Sequence, residues 1–123
     1  MRRILIVDDE DDIREVAALS LEAVAGWKIT TACCAADGIR DAMEQKPDAI
    51  LMDVMMPAMD GPTAFKEMQQ IPEIAHIPVI LLTAKVQGVD QRRFAGLGVA
   101  AVLFKPFDPI TLAEEISTAL GWG

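Results

Sequence analysis

The chain has 123 residues, the length of one domain, and can bury roughly two thirds of the surface its unfolded form exposes. Hydrophobic residues make up 52%, and 11 Lys and Arg stand against 19 Asp and Glu, for a formal net charge of −8. That balance excludes a nucleic-acid-binding face, which needs clustered Lys and Arg; the basic doublets Arg2-Arg3 and Arg92-Arg93 read as exposed residues at element ends. The apolar run after Met1-Arg2-Arg3 stops within four residues, at Asp8, so no secretory or membrane segment fits and a cytoplasmic location is expected.

Ile4, Leu5, Ile6 and Val7 form a continuous apolar run that ends on Asp8-Asp9. Such a run reads as a strand buried on both faces, the kind found in parallel sheets. Ile13, Val16, Ala17, Leu21 and Val24 then recur at helical spacing, behind Asp11 and Asp12 in the favourable first turn, and Gly26 ends that helix. Residues 28–32 are a short β-prone segment. Cys33 and Cys34 follow it; being adjacent, their Cα atoms lie closer than ordinary disulfide geometry allows, so free thiols in a reducing cytosol are expected. Residues 37–43 are a weaker helix, stopped by Pro47.

The third strand spans about residues 49–52 and is closed by Asp53. Pro62 stands where a first helical residue should, with Ala64, Phe65 and Met68 as the buried stripe and Asp60-Gly61 as the turn before it. Pro72 and Pro78 bracket a loop that holds His76, the single histidine, as an exposed residue. Val79 to Leu82 is a third apolar run and delivers Thr83; residues 99–104 are a fourth and deliver Lys105, followed by Pro106. A fourth helix between them, about residues 89–97, is flanked by Gly88 and Gly96. The last helix has Asp108 as N-cap, Pro109 at N1, Leu112, Ile116 and Leu120 at spacing four, and Gly121 to stop it.

Strands each followed by a helix imply right-handed crossovers and a parallel, three-layer α/β sandwich. The common five-stranded order for this (βα)5, flavodoxin-like arrangement is 2-1-3-4-5, with its switch point between strands 1 and 3. Asp8-Asp9 and Asp53 end those two strands. One domain over residues 1–123, with no output domain of its own, is the expected organisation.

Acids, a hydroxyl and an amine at four strand ends suit a divalent cation and a phosphoryl group. Mg²⁺ takes oxygen ligands in near-octahedral geometry and keeps several waters. Asp9 and Asp53 are its expected direct ligands, Asp8 a ligand through water, and the backbone carbonyl of Met55 completes the protein's share; Mn²⁺ is an alternative ion. Three carboxylates packed this closely repel, so at least one pKa should rise without the metal. A carboxylate is a competent phosphoryl acceptor, and Asp53 is placed for that role. Mg²⁺, the Lys105 ammonium and Thr83, by hydroxyl or backbone N–H with Ala84 beside it, can each take one phosphoryl oxygen. Lysine fits as a compact point charge, and Pro106 is a candidate cis residue that turns it into the site.

Each residue also has a plain structural explanation. Asp8 to Asp12 could be a solvated helix start, Asp53 a turn former, Thr83 a helix cap, Lys105 a surface charge. Taken together those explanations fail, because four strand ends would have to supply compatible groups by accident. Asp48 and Asp60 keep theirs, and the seven methionines read as core.

At these residues the chain resembles the receiver domains of two-component response regulators. Val7-Asp8-Asp9-Glu10, Asp53-Val54-Met55-Met56-Pro57 with Asp60-Gly61, Leu82-Thr83-Ala84 and Lys105-Pro106-Phe107 match in order and spacing over essentially the whole chain. The resemblance implies that Asp53 accepts phosphate from a histidine kinase or histidine phosphotransfer protein. Asp8 and Asp9 would be the acidic pair, Thr83 the switch hydroxyl and Lys105 the phosphate contact. It implies a phosphorylation-controlled binding module rather than an enzyme, one that assists its own phosphorylation and dephosphorylation. Where many receivers carry an aromatic residue three positions before the lysine, this chain has Val102, with Phe104 further along the same face. The output surface is therefore expected on the fourth helix, fifth strand and last helix, with Arg92 and Arg93 as contacts for a downstream protein.

Three rivals fit less well. A haloacid-dehalogenase-type phosphatase places a second Asp two residues after its nucleophile, where this chain has Met55. A flavin carrier would want a phosphate-cradling loop after strand 1, where Asp8 to Asp12 would repel phosphate. A receiver-shaped scaffold without phosphorylation would not need intact acids, Thr83 and Lys105.

Overall fold

A computed structural model of the chain describes residues 1–84, 94 and 96–122. Its elements, in order, are β1 (Arg3–Val7), α1 (Asp11–Ala25), β2 (Lys28–Ala32), α2 (Ala35–Gln45), β3 (Ala49–Asp53), α3 (Gly61–Gln69), β4 (Val79–Ala84), β5 (Ala101–Lys105) and α4 (Leu112–Leu120). The strands are all parallel and lie in the order β2-β1-β3-β4-β5. The expected order and three-layer architecture hold, with four helices among the described residues.

Alternation along the central strands divides the core in two. Leu5, Val7, Ile50, Met52, Val79 and Leu81 face α2 and α3, together with Phe94 and the partly buried Leu97 and Val99. Ile4, Ile6, Ala49, Leu51, Ile80 and Leu82 face α1 and α4. β1, β3 and β4 are buried on both faces, which is why they read as unbroken apolar runs; β5, at the edge, is half-buried throughout.

Several boundaries differ from the sequence reading. Thr83 and Lys105 lie inside β4 and β5 rather than just beyond them, and β5 begins at Ala101, not at residue 99. Ladder hydrogen bonds, not hydropathy, decide where a strand ends. α2 is longer than expected and stops at Lys46, whose left-handed φ of 46° closes it one residue before Pro47. In α3 the cap is Asp60, whose carboxylate accepts from the Thr63 N–H at 2.8 Å, so Pro62 is the second helical residue. Asp108 does not cap α4; its carboxylate accepts from the Ile110 N–H, forming a turn, and the helix starts after Thr111. Gly26 and Gly121 close α1 and α4 in the left-handed conformation, with φ of 70° and 71°.

Val16 and Val24, placed in the apolar stripe of α1, are exposed; Ala17 and Leu21 are the residues that this helix buries. Met1, Met43 and Met55 are also exposed, while Met52, Met56 and Met68 are core. His76 is exposed, but its loop buries Ile74 and Ile77. The expected fourth helix, with Gly88, Arg92 and Arg93, lies outside the described residues except for Phe94, Gly96 and Leu97. Of these, Phe94 is 3% exposed and packs into the α2/α3 side of the core.

Candidate functional site at the carboxyl edge of the sheet

β1 and β3 are neighbours, and ligands of such sheets gather beyond the strand carboxyl ends. Asp8 is two residues past Ile6, Asp53 two past Leu51 and Lys105 two past Leu103, all on the α1/α4 side. Period-two alternation therefore brings both carboxylates and the amine to one face of the sheet. The same counting puts Thr83 and Phe104 on the opposite side, directly paired in register across β4 and β5.

Lys105 joins the acids. Its Nζ lies 3.1 Å from Asp8 Oδ2, 3.2 Å from Asp53 Oδ1 and 4.0 Å from Glu10 Oε1. Asp8 and Asp53 are only 1% and 3% exposed, so these charges interact with little water between them. Asp8 Oδ1 accepts from the Glu10 N–H at 2.8 Å, and the Asp8 carbonyl accepts from Arg14 Nη1 at 2.7 Å. Arg14 also pairs with Asp11. The loop after β1 is thus tied down by its own backbone and by the first turn of α1.

Asp8 Oδ2 is different. It is fully buried and has no hydrogen-bond partner; its contact with the Lys105 ammonium is an ion pair without the angles of a hydrogen bond. Burial, and next the Asp8 charge, push the Asp53 pKa up to about 6, against the opposing pull of Lys105. Burial acts to lower the Lys105 pKa, but its two carboxylate partners outweigh that and hold it above the ordinary value.

Asp9 is exposed on the rim, yet one carboxylate oxygen from each of Asp8, Asp9 and Asp53 lies within 4.8 Å of the others. Three hard oxygens, in a cluster where Asp8 Oδ2 is buried without a hydrogen-bond partner, fit a hard divalent cation such as Mg²⁺. In thermal melts Mg²⁺ should raise the melting temperature, by about 1.4 kcal/mol of stabilisation at tenfold excess over its Kd. Asp9→Ala should remove most of that gain with little cost in the metal-free protein, since the side chain is exposed. An unchanged Mg²⁺ response in Asp9→Ala would rule out a direct contribution from Asp9.

The remaining candidates are placed as follows. Thr83 is buried at 4% exposure near the end of β4, and Ala84 is exposed next to it. The Met55 side chain is 73% exposed in the loop after β3. The Lys105–Pro106 peptide is cis. Val102 packs against the α2/α3 side of the core, and Phe104 is half-buried.

Glu10, Arg14 and Gly61 are contributors that sequence reasoning missed. A Cβ on Gly61 would strike the Asp53 carbonyl oxygen and come within 3.1 Å of Val54 Cα, both backbone atoms. The Gly61 N–H also donates to the Val54 carbonyl at 2.9 Å, so α3 begins directly against the strand end that carries Asp53. The available signal was Gly61 directly after the capping Asp60, read only as a turn.

A family model for the response regulator receiver domain matches residues 4–117. Protein PilH of Pseudomonas aeruginosa is 36% identical over 120 residues, which cover 98% of this chain and 98% of PilH. The chain spans about half the length of the curated transcriptional regulators it matches, from 45% to 53%. The chemotaxis protein CheY4 of Vibrio cholerae has the same fold at a TM-score of 0.89 and 28% identity, over 97% of this chain and 98% of CheY4. The receiver domain of the sensor histidine kinase PA1611 of Pseudomonas aeruginosa, at 0.85 and 29%, covers 98% of both chains and was solved with a magnesium ion in its active site cleft.

Proposed function

Because the chain belongs to the response regulator receiver domain family, whose general role is to accept a phosphoryl group in two-component signalling, we propose that Asp53 is the acceptor and that Asp8, Asp9, Thr83, Ala84 and Lys105 serve it. The observation that carries this reading is the convergence of Lys105 with two buried carboxylates at the ends of adjacent strands. The donor is a phosphohistidine on a histidine kinase or phosphotransfer protein. An Asp53 oxygen attacks phosphorus, the P–N bond breaks, and its electron pair leaves with the imidazole, which takes up a proton.

Asp53 must be ionised to attack, and the positive charge of Lys105 favours that form. Once the acyl phosphate forms, the Asp53 carboxylate charge is lost and Lys105 is free to follow the phosphoryl oxygens. Thr83 and Ala84, one and two residues past the register partner of Asp53 on β4, would supply further donors at that strand end. Asp8, Asp9, Asp53 and the Met55 carbonyl would hold Mg²⁺, or Mn²⁺ in its place, which supplies charge to offset that of the incoming group. The domain thus assists its own phosphorylation and dephosphorylation while remaining a signalling module. No helix among the described residues is long and apolar enough to cross a membrane, and a cytoplasmic site of action is part of the same proposal.

Acetyl phosphate with Mg²⁺ should add one phosphoryl group through a hydroxylamine-labile acyl bond, and Asp53→Asn should abolish the product. Equal labelling of Asp53→Asn with the same bond chemistry would refute the assignment. For output, Val102, Phe104, the 89–97 segment and α4 form the proposed partner face. Its support is the register pairing of Phe104 with Thr83 and the packing of Val102 with Phe94 and Leu97 in one cluster. Backbone NMR with beryllofluoride should then show shifts through residues 86–104. Shifts confined to the Asp8, Asp53 and Lys105 loops would move the output to those loops.

A further inference from the structure

One strand away from the acidic site, a different set of ligands converges. Cys33 and Cys34 occupy the bend between β2 and α2, and Asp37 lies in the first turn of that helix. In a regular strand two adjacent side chains would point to opposite faces. Here the bend brings them round: one ligand atom from each of Cys33, Cys34 and Asp37 lies within 4.8 Å of the other two. Both cysteines are free thiols, Cys33 exposed and Cys34 partly so, which leaves the cluster open to ions from solvent.

From this juxtaposition we propose that Cys33, Cys34 and Asp37 form a second metal site, selective for a thiophilic divalent ion of the Zn²⁺ class. Thiolate sulfur is a soft ligand, so this set discriminates against Mg²⁺ and Ca²⁺, which prefer all-oxygen sites. A tetrahedral zinc with Zn–S near 2.3 Å and Zn–O near 2.0 Å separates a sulfur from an oxygen by about 3.5 Å. Cys33 Sγ already stands 3.6 Å from Asp37 Oδ2, to which it donates. Two sulfurs and one oxygen leave the fourth position to water, as in open zinc sites.

The carboxylate is also held for this task. Arg40 Nη2 pairs with Asp37 Oδ1 at 3.1 Å, while Oδ2 faces the sulfur. A cation between Oδ2 and the two thiolates would leave the Arg40 pair intact, and groups that orient a ligand in this way strengthen metal binding. The ligands come from three side chains at one end of β2, whose Ala32 carbonyl accepts from the Asp8 N–H at 3.1 Å. The cluster therefore shares the carboxyl edge of the sheet with the acidic site but none of its residues.

Cobalt(II) reports thiolate ligation directly. Titrated into the intact chain under a non-thiol reductant, with Mg²⁺ present to occupy the acidic site, it should bind one ion per chain. The expected spectrum has a sulfur-to-cobalt charge-transfer band and the visible bands of tetrahedral cobalt, both erased by Zn²⁺. Cys33→Ser and Cys34→Ser should each lose the charge-transfer intensity of one sulfur and bind more weakly. Arg40→Gln should keep the spectrum and weaken binding about tenfold, and Asp53→Asn should change neither. The proposal is overturned by an absent charge-transfer band, by a band that both cysteine variants retain in full, or by one that Asp53→Asn removes. A stoichiometry of two chains per ion would also overturn it, since the ligands would then come from different molecules.

Discussion

Lys105→Met should be strongly destabilising in the metal-free protein at pH 7.5, by roughly 2–3 kcal/mol. Methionine keeps the length and apolar stem of lysine and removes only the ammonium. Asp8 and Asp53 would then be two buried carboxylates facing each other without the cation that sits 3.1 and 3.2 Å from them. Breaking a buried ion pair by removing one partner typically costs about 3–5 kcal/mol. The lower figure applies here because the Lys105 side chain is 16% exposed and the site opens on the rim of the sheet, where water screens part of the repulsion. For a domain of this size the loss corresponds to a fall of roughly 10 °C in melting temperature. Two conditions should rescue it. Acidification protonates Asp53, whose pKa, already about 6, would rise further without its cation. Saturating Mg²⁺ supplies the missing positive charge. A Lys105→Met protein as stable as its parent in chelator at pH 7.5 would show that the ion pairs contribute nothing to holding the acids in place.

The parts of the molecule that could be read from sequence are those where one residue faces one kind of environment. β1, β3 and β4 are enclosed by helices on both sides, so their sequences are unbroken apolar runs, and Asp8, Asp53 and Thr83 mark where those runs end. Period-two alternation then fixes the face on which Asp8, Asp53 and Lys105 meet. Helix faces were less legible. In α1, Val16 and Val24 fit the helical period as well as Leu21 does, but only the stripe that meets β1, β2 and α4 is buried, and hydropathy does not say which stripe that is. Ile74 and Ile77 were invisible as core because they belong to a loop without period. The hydrogen bonds that fix Asp8 come from a backbone N–H at Glu10 and a guanidinium at Arg14, contacts set by the path of the turn. Gly61 looked like a turn former, whereas its lack of a side chain is what lets α3 start against the backbone of Asp53 and Val54. Cys33, Cys34 and Asp37 fall in the same class, since adjacency in sequence predicts divergence and the bend reverses it.

Asp53→Asn should raise stability in chelator at neutral pH, which is the reverse of the usual effect of altering a buried residue. The folded protein holds the Asp53 proton with a pKa of about 6, against an ordinary value of 3.8. Between those values the folded state binds more protons than the unfolded state, so stability falls as pH rises through the window and stays low above it. The full shift corresponds to about 3 kcal/mol; with discounting for water at the open rim, roughly 2 kcal/mol should be recovered when asparagine, which cannot ionise, replaces the acid. Melting temperatures of parent and variant should therefore coincide near pH 4, separate between pH 4 and 6, and differ by roughly 8 °C at pH 7.5. Mg²⁺ should close that gap from the other side, because the parent gains a ligand for which the variant has lost one carboxylate. In the proposed metal site the shift stored in Asp53 would be the source of metal affinity: three carboxylates with one oxygen each within 4.8 Å of the others are costly apart from a cation and favourable around one. A variant that melts below its parent at pH 7.5 in chelator would mean that Lys105 more than compensates for the burial of Asp53. In that case the site would be poised by its ion pairs alone, and Mg²⁺ would have to compete with the ammonium for the same oxygens.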